Sequence, residues 1–345
     1  MTLHRRKEHD HGALGVVVPP ETSQTSHLPR VTVLMAVRDG IRFLPEQIDS
    51  IAAQYGIDLR LIVSDDGSND GSYEFLVALA KIWPEGRLTV LQGPRRGYAA
   101  NFVSLVKCAP PNAGYVAFSD QDDVWVGHRL QSAVEALRGV GDCPGLHLSA
   151  RWIADEDLNI RKVAQLPLGR LSFSNSLVES VVPGNASVMN PQAFAILQEG
   201  IMRQSDVSSH DWSMYQLLSG AEAVIVQSEE PLVVYRQHQK NVKGAGGSMR
   251  WRISRLLRFA SGSYGRSLYS SWNFLGANRD QLSHHNQIIL ERAYDLTATS
   301  ITTRLAALRA GGFFRLRRVD CLALWVAVLL GTLGRAIKEK LPSDS

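Results

Sequence analysis

The feature that most limits the fold is an alternation, repeated over the first third of the chain, of short apolar runs with segments of helical period. Residues 31–37 are almost unbroken apolar sequence, the pattern of a strand buried on both faces. Leu44, Ile48, Ile51, Ala52 and Tyr55 then recur at helical spacing. Residues 59–64 read as a second strand. A turn-rich stretch, 65–71, leads into a helix over about 72–82 with Phe75, Leu76 and Leu79 as its apolar stripe. A third strand at 88–91 is stopped by Gly93-Pro94. A helix over about 98–107 precedes a fourth strand, 115–118, that ends at Ser119-Asp120. Such alternation builds an α/β fold with a mostly parallel central sheet wrapped by flanking helices. Ligands bind beyond the carboxyl ends of the strands of such sheets. Asp65-Asp66 and the acidic run Asp120 to Asp123 fall there.

The rest of the chain reads differently. Strand signals stop after about Val242, and Gly244-Ala245-Gly246-Gly247 is a flexible patch suited to a boundary. The expected organisation is a disordered tail over 1–29, a catalytic unit over 30–246 and an Arg-rich helical region over 247–345. Between Arg250 and Arg318 there are twelve Arg, no Lys and three acids, so with a net charge of +4 the remainder is acidic on balance. A basic face of this kind meets phosphates or is a solvated helical surface. Arg250, Arg252, Arg255 and Arg258 fall mostly along one side of a helix, with Leu256, Leu257 and Phe259 for apolar contact, which suits an anionic membrane surface. Residues 319–333 are apolar but carry Asp320 and Gly331 and fall short of the roughly 20 residues that span a bilayer, so a packed or interfacial helix is expected. The three cysteines are far apart and form no CxxC pair, as in a reducing compartment. No apolar core of signal-peptide length opens the chain, and the expected location is the cytoplasm, with peripheral attachment to the inner face of its membrane as an option. No nucleic-acid partner is expected.

The chemistry is concentrated in four segments. Ser119-Asp120-Gln121-Asp122-Asp123-Val124-Trp125 sets three carboxylates within four residues just past a buried strand. They repel one another unless a divalent cation sits among them, and hard oxygen ligands suit Mg²⁺ or Mn²⁺, which also bind diphosphate oxygens. The plainer reading is an acidic helix N-terminus; the strand-end position and the other segments favour the cation. Asp65-Asp66-Gly67-Ser68-Asn69-Asp70-Gly71 is a tight turn and helix cap whose carboxylates can also accept from a base or a ribose hydroxyl. His210-Asp211-Trp212 opens a helix, where Asp211 is either a cap or a general base. Tyr235-Arg236-Gln237-His238 follows an apolar strand; Arg236 suits phosphate, and His238 is either structural or a further metal ligand.

In this order the segments resemble glycosyltransferase family 2, the inverting transferases with a nucleotide-binding fold of the A type, and within it the bacterial rhamnosyltransferase-like group. The resemblance covers about 29–246. It rests on the opening strand Val33-Leu34-Met35-Ala36, the Ser-Asp-Asp-Gly-Ser turn at 64–68, the Ser119 to Trp125 block, His210-Asp211-Trp212, and Tyr235 to His238 with Asn241-Val242 close after. Gly184-Asn185 sits where the family has a glycine-led segment on the acceptor side. Two departures stand out: Val37-Arg38-Asp39 replaces the family's Thr-Tyr-Asn before Gly40, and Ser213 replaces a second Trp.

The resemblance implies a role for each site. Ala36, Arg38, Asp65, Asp66 and Asp120 would hold the donor nucleotide, with Arg38 near the diphosphate. Asp122, with His238 as a further ligand, would hold Mg²⁺ or Mn²⁺. Asp211 would take the proton from the acceptor hydroxyl, and Gly184, Asn185, Trp212 and Arg236 would serve the acceptor or phosphate side. The expected reaction moves a sugar, L-rhamnose from dTDP-rhamnose by the group's name, onto a saccharide or lipid-linked saccharide in cell-surface polysaccharide assembly. Three other classes are weighed against it. A sugar nucleotidyltransferase would carry a glycine-rich phosphate loop that residues 36–40 lack. A non-catalytic nucleotide-sugar or lipid-binding protein would have lost the residues at 122 or 211. A glycoside hydrolase also needs two carboxylates but no nucleoside site.

Overall fold

The computed structural model describes residues 17–19, 28–238 and 263–334. Four parallel strands open the fold: β1 (Arg30–Val37), β2 (Asp58–Asp65), β3 (Leu88–Gln92) and β4 (Tyr115–Ser119). They are linked by α1 (Leu44–Ala52), α2 (Ser72–Ala80) and α3 (Tyr98–Cys108), so the alternation in sequence appears as expected. Tyr55 is the exception: α1 ends before it and its ring is exposed. Then follow β5 (Val124–Trp125), α4 (Arg129–Arg138), β6 (Gly145–Ala154), β7 (Ile160–Ala164), α5 (Phe173–Ser176), a 3₁₀ turn at Gly184–Ala186, β8 (Ser187–Met189), α6 (Pro191–Arg203), α7 (His210–Gly220) and β9 (Val224–Arg236). The strand order is β3-β2-β1-β4-β8-β6-β9-β5, with β7 paired to β6. The half from β3 to β4 is parallel. Beyond β4 the sheet is mixed, because β8 runs against both β4 and β6 while β6 and β9 run parallel.

This mixture decides where the loops meet. Val37 pairs with Asp65, Met35 with Ser119 and Asp65 with Gln92, so β1 to β4 finish at one edge. β6 and β9 finish there too, with Ala154 opposite Arg236. The reversed β8 begins at that edge, which brings the preceding Gly184-Asn185 to the same place. Pro231, inside the long β9, lies where the β6–β9 register shifts, the kind of position a strand proline can occupy without losing a ladder bond.

Side chains alternate across β1 with the strand period of two. Val33, Met35 and Val37 pack with α1, α2 and α4 through Leu44, Ile48, Leu76 and Leu130. Leu34 faces the other way, toward Phe102 of α3 and Leu217 of α7. The later helices α8 (Ser263–Ala277), α9 (His284–Asp295), α10 (Ile301–Ala310) and α11 (Arg318–Leu329) join that second core. Trp272 is fully buried and donates from Nε1 to Leu177 O at 2.9 Å; Gln216 of α7 donates to Ser271 Oγ at 3.1 Å. Within the span expected as a tail, the Val17 N–H donates to Asp49 at 2.7 Å. The glycine patch and the segment from Arg250 to Phe259 lie outside the described residues, as do residues 1–16. Because α7 and α8 share one core, Trp272→Ala is expected to cost about 3–5 kcal/mol. In urea it should lower the midpoint of the same unfolding transition that reports the sheet.

Candidate functional site

At the common edge, the loop after β1 is held by the loop after β4. The Arg38 N–H donates to Gln121 Oε1 at 2.7 Å, and Gln121 Nε2 donates back to Arg38 O at 2.9 Å. A Cβ on Gly40 would stand 2.4 Å from the Gln121 side chain, so this contact needs glycine there. Asp39 adopts a left-handed φ of 47° and accepts from the Asn69 N–H at 2.8 Å, stitching the first loop to the turn after β2. In that turn Asp65 accepts from the N–H groups of Gly67 and Ser68 at 2.9 and 2.8 Å and from Ser68 Oγ at 2.6 Å. Asp66, almost wholly buried, accepts from the N–H groups of Arg95 and Gly97 at 2.6 and 2.7 Å, pinning the loop after β3. Arg38 is half-exposed and donates to Asp66 O at 2.9 Å. Arg95, at a left-handed φ of 57°, and Arg96 are exposed at the same rim. Ala36 is half-buried at the end of β1.

The three carboxylates after β4 part ways. Asp123 has no solvent exposure and accepts from Asn185 Nδ2 at 2.6 Å. Burial, and then the neighbouring charges of Asp122 and Asp120, hold its pKa well above the usual carboxylate range. Asp122 Oδ2 instead lies 2.7 Å from His238 Nε2, and the His238 ring packs against Phe43 with centroids 4.8 Å apart and planes tilted by 30°. Arg236 fixes this pair from behind: it donates to Asp122 O at 3.0 Å, to Glu156 O at 2.6 Å and to Glu46 Oε2 at 2.5 Å. Its guanidinium is thereby committed to protein partners. Asp120 is half-buried beside the pair. Asp122 and His238 turn a carboxylate oxygen and an imidazole nitrogen toward each other; the oxygen suits Mg²⁺ or Mn²⁺, and the nitrogen is a borderline donor. Among the described residues no cluster of three His, Cys, Asp or Glu side chains forms a ready-made cation cage.

Asn185 is the hinge between this group and α7. Its amide donates to Asp123, its Oδ1 accepts from Arg151 at 3.1 Å, and its carbonyl accepts from Arg129 at 2.8 Å. Burial pulls the Arg129 pKa down to about 9 against the pull of Asp123, and its guanidinium lies 3.6 Å over the Trp125 ring. Burial and Arg129 together lower His147 to about 4. Burial lowers Arg151 as well, opposed by Asp123, Tyr235, Asp120 and Asp211, so one cation faces both the acidic loop and the start of α7. There Asp211 accepts from Ser209 Oγ and, at 2.8 Å, from the Trp212 N–H. His210 stacks on Phe102 at 3.7 Å. A Cβ on Gly184 would meet His210 Nε2 at 2.8 Å, which explains a glycine beside Asn185. Trp212 turns inward: its indole N–H donates to Ser176 O at 2.7 Å.

The structure therefore brings Arg38, Asp65, Asp66, Asp120, Asp122, His238, Asn185, Gly184 and Asp211 to one edge, while Trp212 and Arg236 serve the frame. Sequence reasoning did not find Gln121, Glu46, Phe43, Arg95 or Arg151. Gln121 stood inside the acidic motif and was the most accessible of them; Arg151 lies in a strand, β6, that the apolar pattern did not reveal.

The fold is the A-type fold of glycosyltransferases. Residues 32–144 match the family model of Glycosyl transferase family 2. The chain is 25% identical over 230 residues to the dTDP-rhamnosyl transferase RfbG of Shigella flexneri, covering 64% of this chain and 78% of that one. It is 30% identical over 112 residues to an uncharacterised glycosyltransferase of Nostoc sp., covering 32% of this chain and 33% of the relative. The crystal structure of S. aureus TarS 1–349 superposes with a TM-score of 0.50 at 13% identity, covering 90% of this chain and 92% of that one.

Replacing Asn185 by Ala removes the donor to Asp123 and the acceptor for Arg151 at once. The loss of stability expected from a buried polar group left unsatisfied is about 1–3 kcal/mol, measured by thermal or denaturant unfolding.

Proposed function

We propose that the chain is a metal-dependent, inverting glycosyltransferase that moves a sugar from a nucleoside-diphosphate donor, dTDP-L-rhamnose by its relation to the Shigella enzyme, onto a saccharide or lipid-linked saccharide acceptor. The observation that carries the reading is the Asp122–His238 pair at 2.7 Å, set beside Asp120 at the strand edge where Asp66 and Arg38 also stand. A nucleotide-sugar donor agrees with TarS, which is known in complex with UDP-GlcNAc on the same fold. Asp65 and Asp66 border the nucleoside; Asp65 Oδ2 and both Asp66 oxygens accept one donor each and keep lone-pair capacity for another. Arg38 faces the diphosphate. Asp122 and His238 would hold Mg²⁺ or Mn²⁺, with Asp120 alongside. When bound, the cation offsets the negative charge that grows on the departing nucleoside diphosphate.

Asp211 takes the proton of the acceptor hydroxyl as that oxygen forms its bond to the anomeric carbon and the bond to the diphosphate breaks. One displacement inverts the anomeric centre and leaves no sugar on the protein. Gly184 and Asn185 line the acceptor side next to Asp211. No described helix is long and apolar enough to cross a membrane.

Chelation is expected to abolish transfer, and Asp122→Ala to lower turnover at least about 100-fold, the scale of losing one strong electrostatic contributor. Nucleoside-diphosphate release with and without added Mn²⁺ checks this, and full activity of the variant in excess EDTA would remove the cation from the account. Asp211→Asn is expected to keep donor affinity, measured by calorimetry, and to lose roughly 100-fold or more in turnover. Weakened donor binding with turnover intact would make Asp211 a binding residue instead.

A further inference from the structure

After its first turn the last helix of the described chain is apolar on all sides, yet the protein covers only one of them. α11 turns Leu324, Ala327 and Val328 into the core, against α10. On its other side Val319, Leu322, Trp325, Val326, Leu329 and the adjoining Leu330 are between 38% and 72% exposed. Spacings of three and four residues put them on one continuous face. A helix solvated on its outer side carries polar residues there. On α11 the one exposed polar side chain is Arg318, at the first position.

The helix is also held firmly. Arg304, buried beneath it, donates to the carbonyls of Val328 and Leu329 at 2.7 and 3.0 Å and so closes its C-terminus. At the other end, the Leu316 N–H and the Arg315 guanidinium bind Glu179 at 2.7 and 3.2 Å, on the segment that leads to Gly184. The face is thus presented as a fixed surface attached to the acceptor side of the site.

Charge indicates what covers it. Among the described residues of this region, Asp280, Glu291 and Asp295 are each in an ion pair with an arginine, and Asp320 on α11 lies in the field of Arg315. Arg317 and Arg318 at the start of α11, and Arg309 on α10, are exposed and make no ion pair among the described residues. A second copy of this face would bring the same arginines with it, whereas a layer of lipid phosphates brings their complement. Twelve residues of helix are about 18 Å long, too short to cross a hydrocarbon layer of about 30 Å. A tryptophan on such a face suits the headgroup level.

We infer that α11 lies in the plane of an anionic bilayer surface, with its outer face among the upper acyl chains and Arg309, Arg317 and Arg318 among the phosphates. This is independent of the transfer reading, since none of these residues belongs to the candidate site.

The test is co-sedimentation of the full chain with phosphatidylcholine vesicles containing or lacking phosphatidylglycerol. Binding to the anionic vesicles is expected, weaker as salt rises because exposed charges are screened over about 10 Å at 0.1 M. The double variant Leu322→Asp/Val326→Asp should lose about tenfold or more in vesicle affinity. Arg317→Ala/Arg318→Ala should weaken binding only where phosphatidylglycerol is present. Both should keep their circular dichroism and their transfer to a water-soluble acceptor, the changed residues being exposed. A blue shift of tryptophan emission on anionic vesicles, absent in Trp325→Phe, would place the face in the lipid. The inference is overturned if the full chain stays in the supernatant at low salt. It is equally overturned if the Leu322/Val326 variant binds as well as the unaltered chain, which would move attachment to another segment such as that around Arg250. A variant that turns a dimer into a monomer, with vesicle binding absent, would give the face to a second copy.

Discussion

Asp123 is a carboxyl group with no access to water, placed between two loops that would otherwise have no reason to stay in register. Withdrawing a carboxylate from water is costly unless it is paired or protonated. Here Asn185 donates to it, Arg129 and Arg151 lie in its field, and burial, followed by Asp122 and Asp120, raises its pKa. Asn185 can reach it because β8 runs backward through the sheet and begins at the edge where β4 ends. The consequence reaches further than one contact. With Asp123 turned inward, the chain between β4 and β5 presents Asp120 and Asp122 outward. The carbonyl of Asp122 is then available to Arg236 and its carboxylate to His238.

The C-terminal helices belong to the same argument. α7 carries Asp211 at its first turn, and a helix can aim a side chain only as well as it is itself held. α7 is buried along its whole length, between Phe102 on the sheet side and Trp272 and Ser271 of α8 on the other. Asn286 of α9 donates to the carbonyl of Gly220, at the end of α7, at 3.0 Å. Helices after residue 262 therefore fix the element on which the proposed base stands, and the Arg315–Glu179 contact fixes the segment that enters the site at Gly184.

Much of this was legible in the sequence, and the limits have physical causes. β1 to β4 were readable because strands buried on both faces are nearly continuous apolar runs, and the helices between them because their stripes keep the 3.6-residue period. The motifs were readable because carboxylates crowded at a strand end have few purposes. β6 and β9 were harder: β9 carries Gln227, Ser228, Glu229, Glu230 and Pro231 in its middle, and β6 contains His147, Ser149 and Arg151, polar residues whose partners lie far away in the chain. No local pattern shows that His147 is buried next to Arg129, or that Arg151 faces Asp120 and Asp211, because those neighbours are set by the strand order alone. Trp212 and Arg236 stood in conspicuous motifs, yet the contacts they make are with Ser176, Glu156 and Glu46, none of which their own sequence surroundings reveal.

The strand order also accounts for how one edge can serve two partners of a displacement. The loops of the parallel half, after β1, β2 and β3, are bound to one another through Asp39, Asp66 and Gln121 and form a continuous rim with Arg38 and Arg95 on it. The groups of the mixed half, Asn185, Arg151 and the start of α7, are bound through a separate set of contacts. The two sets share the β4–β5 connection: Gln121 belongs to the first, Asp123 to the second, and Asp122 stands between them. A donor held by the rim and an acceptor held by the α7 side would therefore be positioned by two largely independent networks that meet at three consecutive residues. Asp122, at the junction, is thereby supported from both sides.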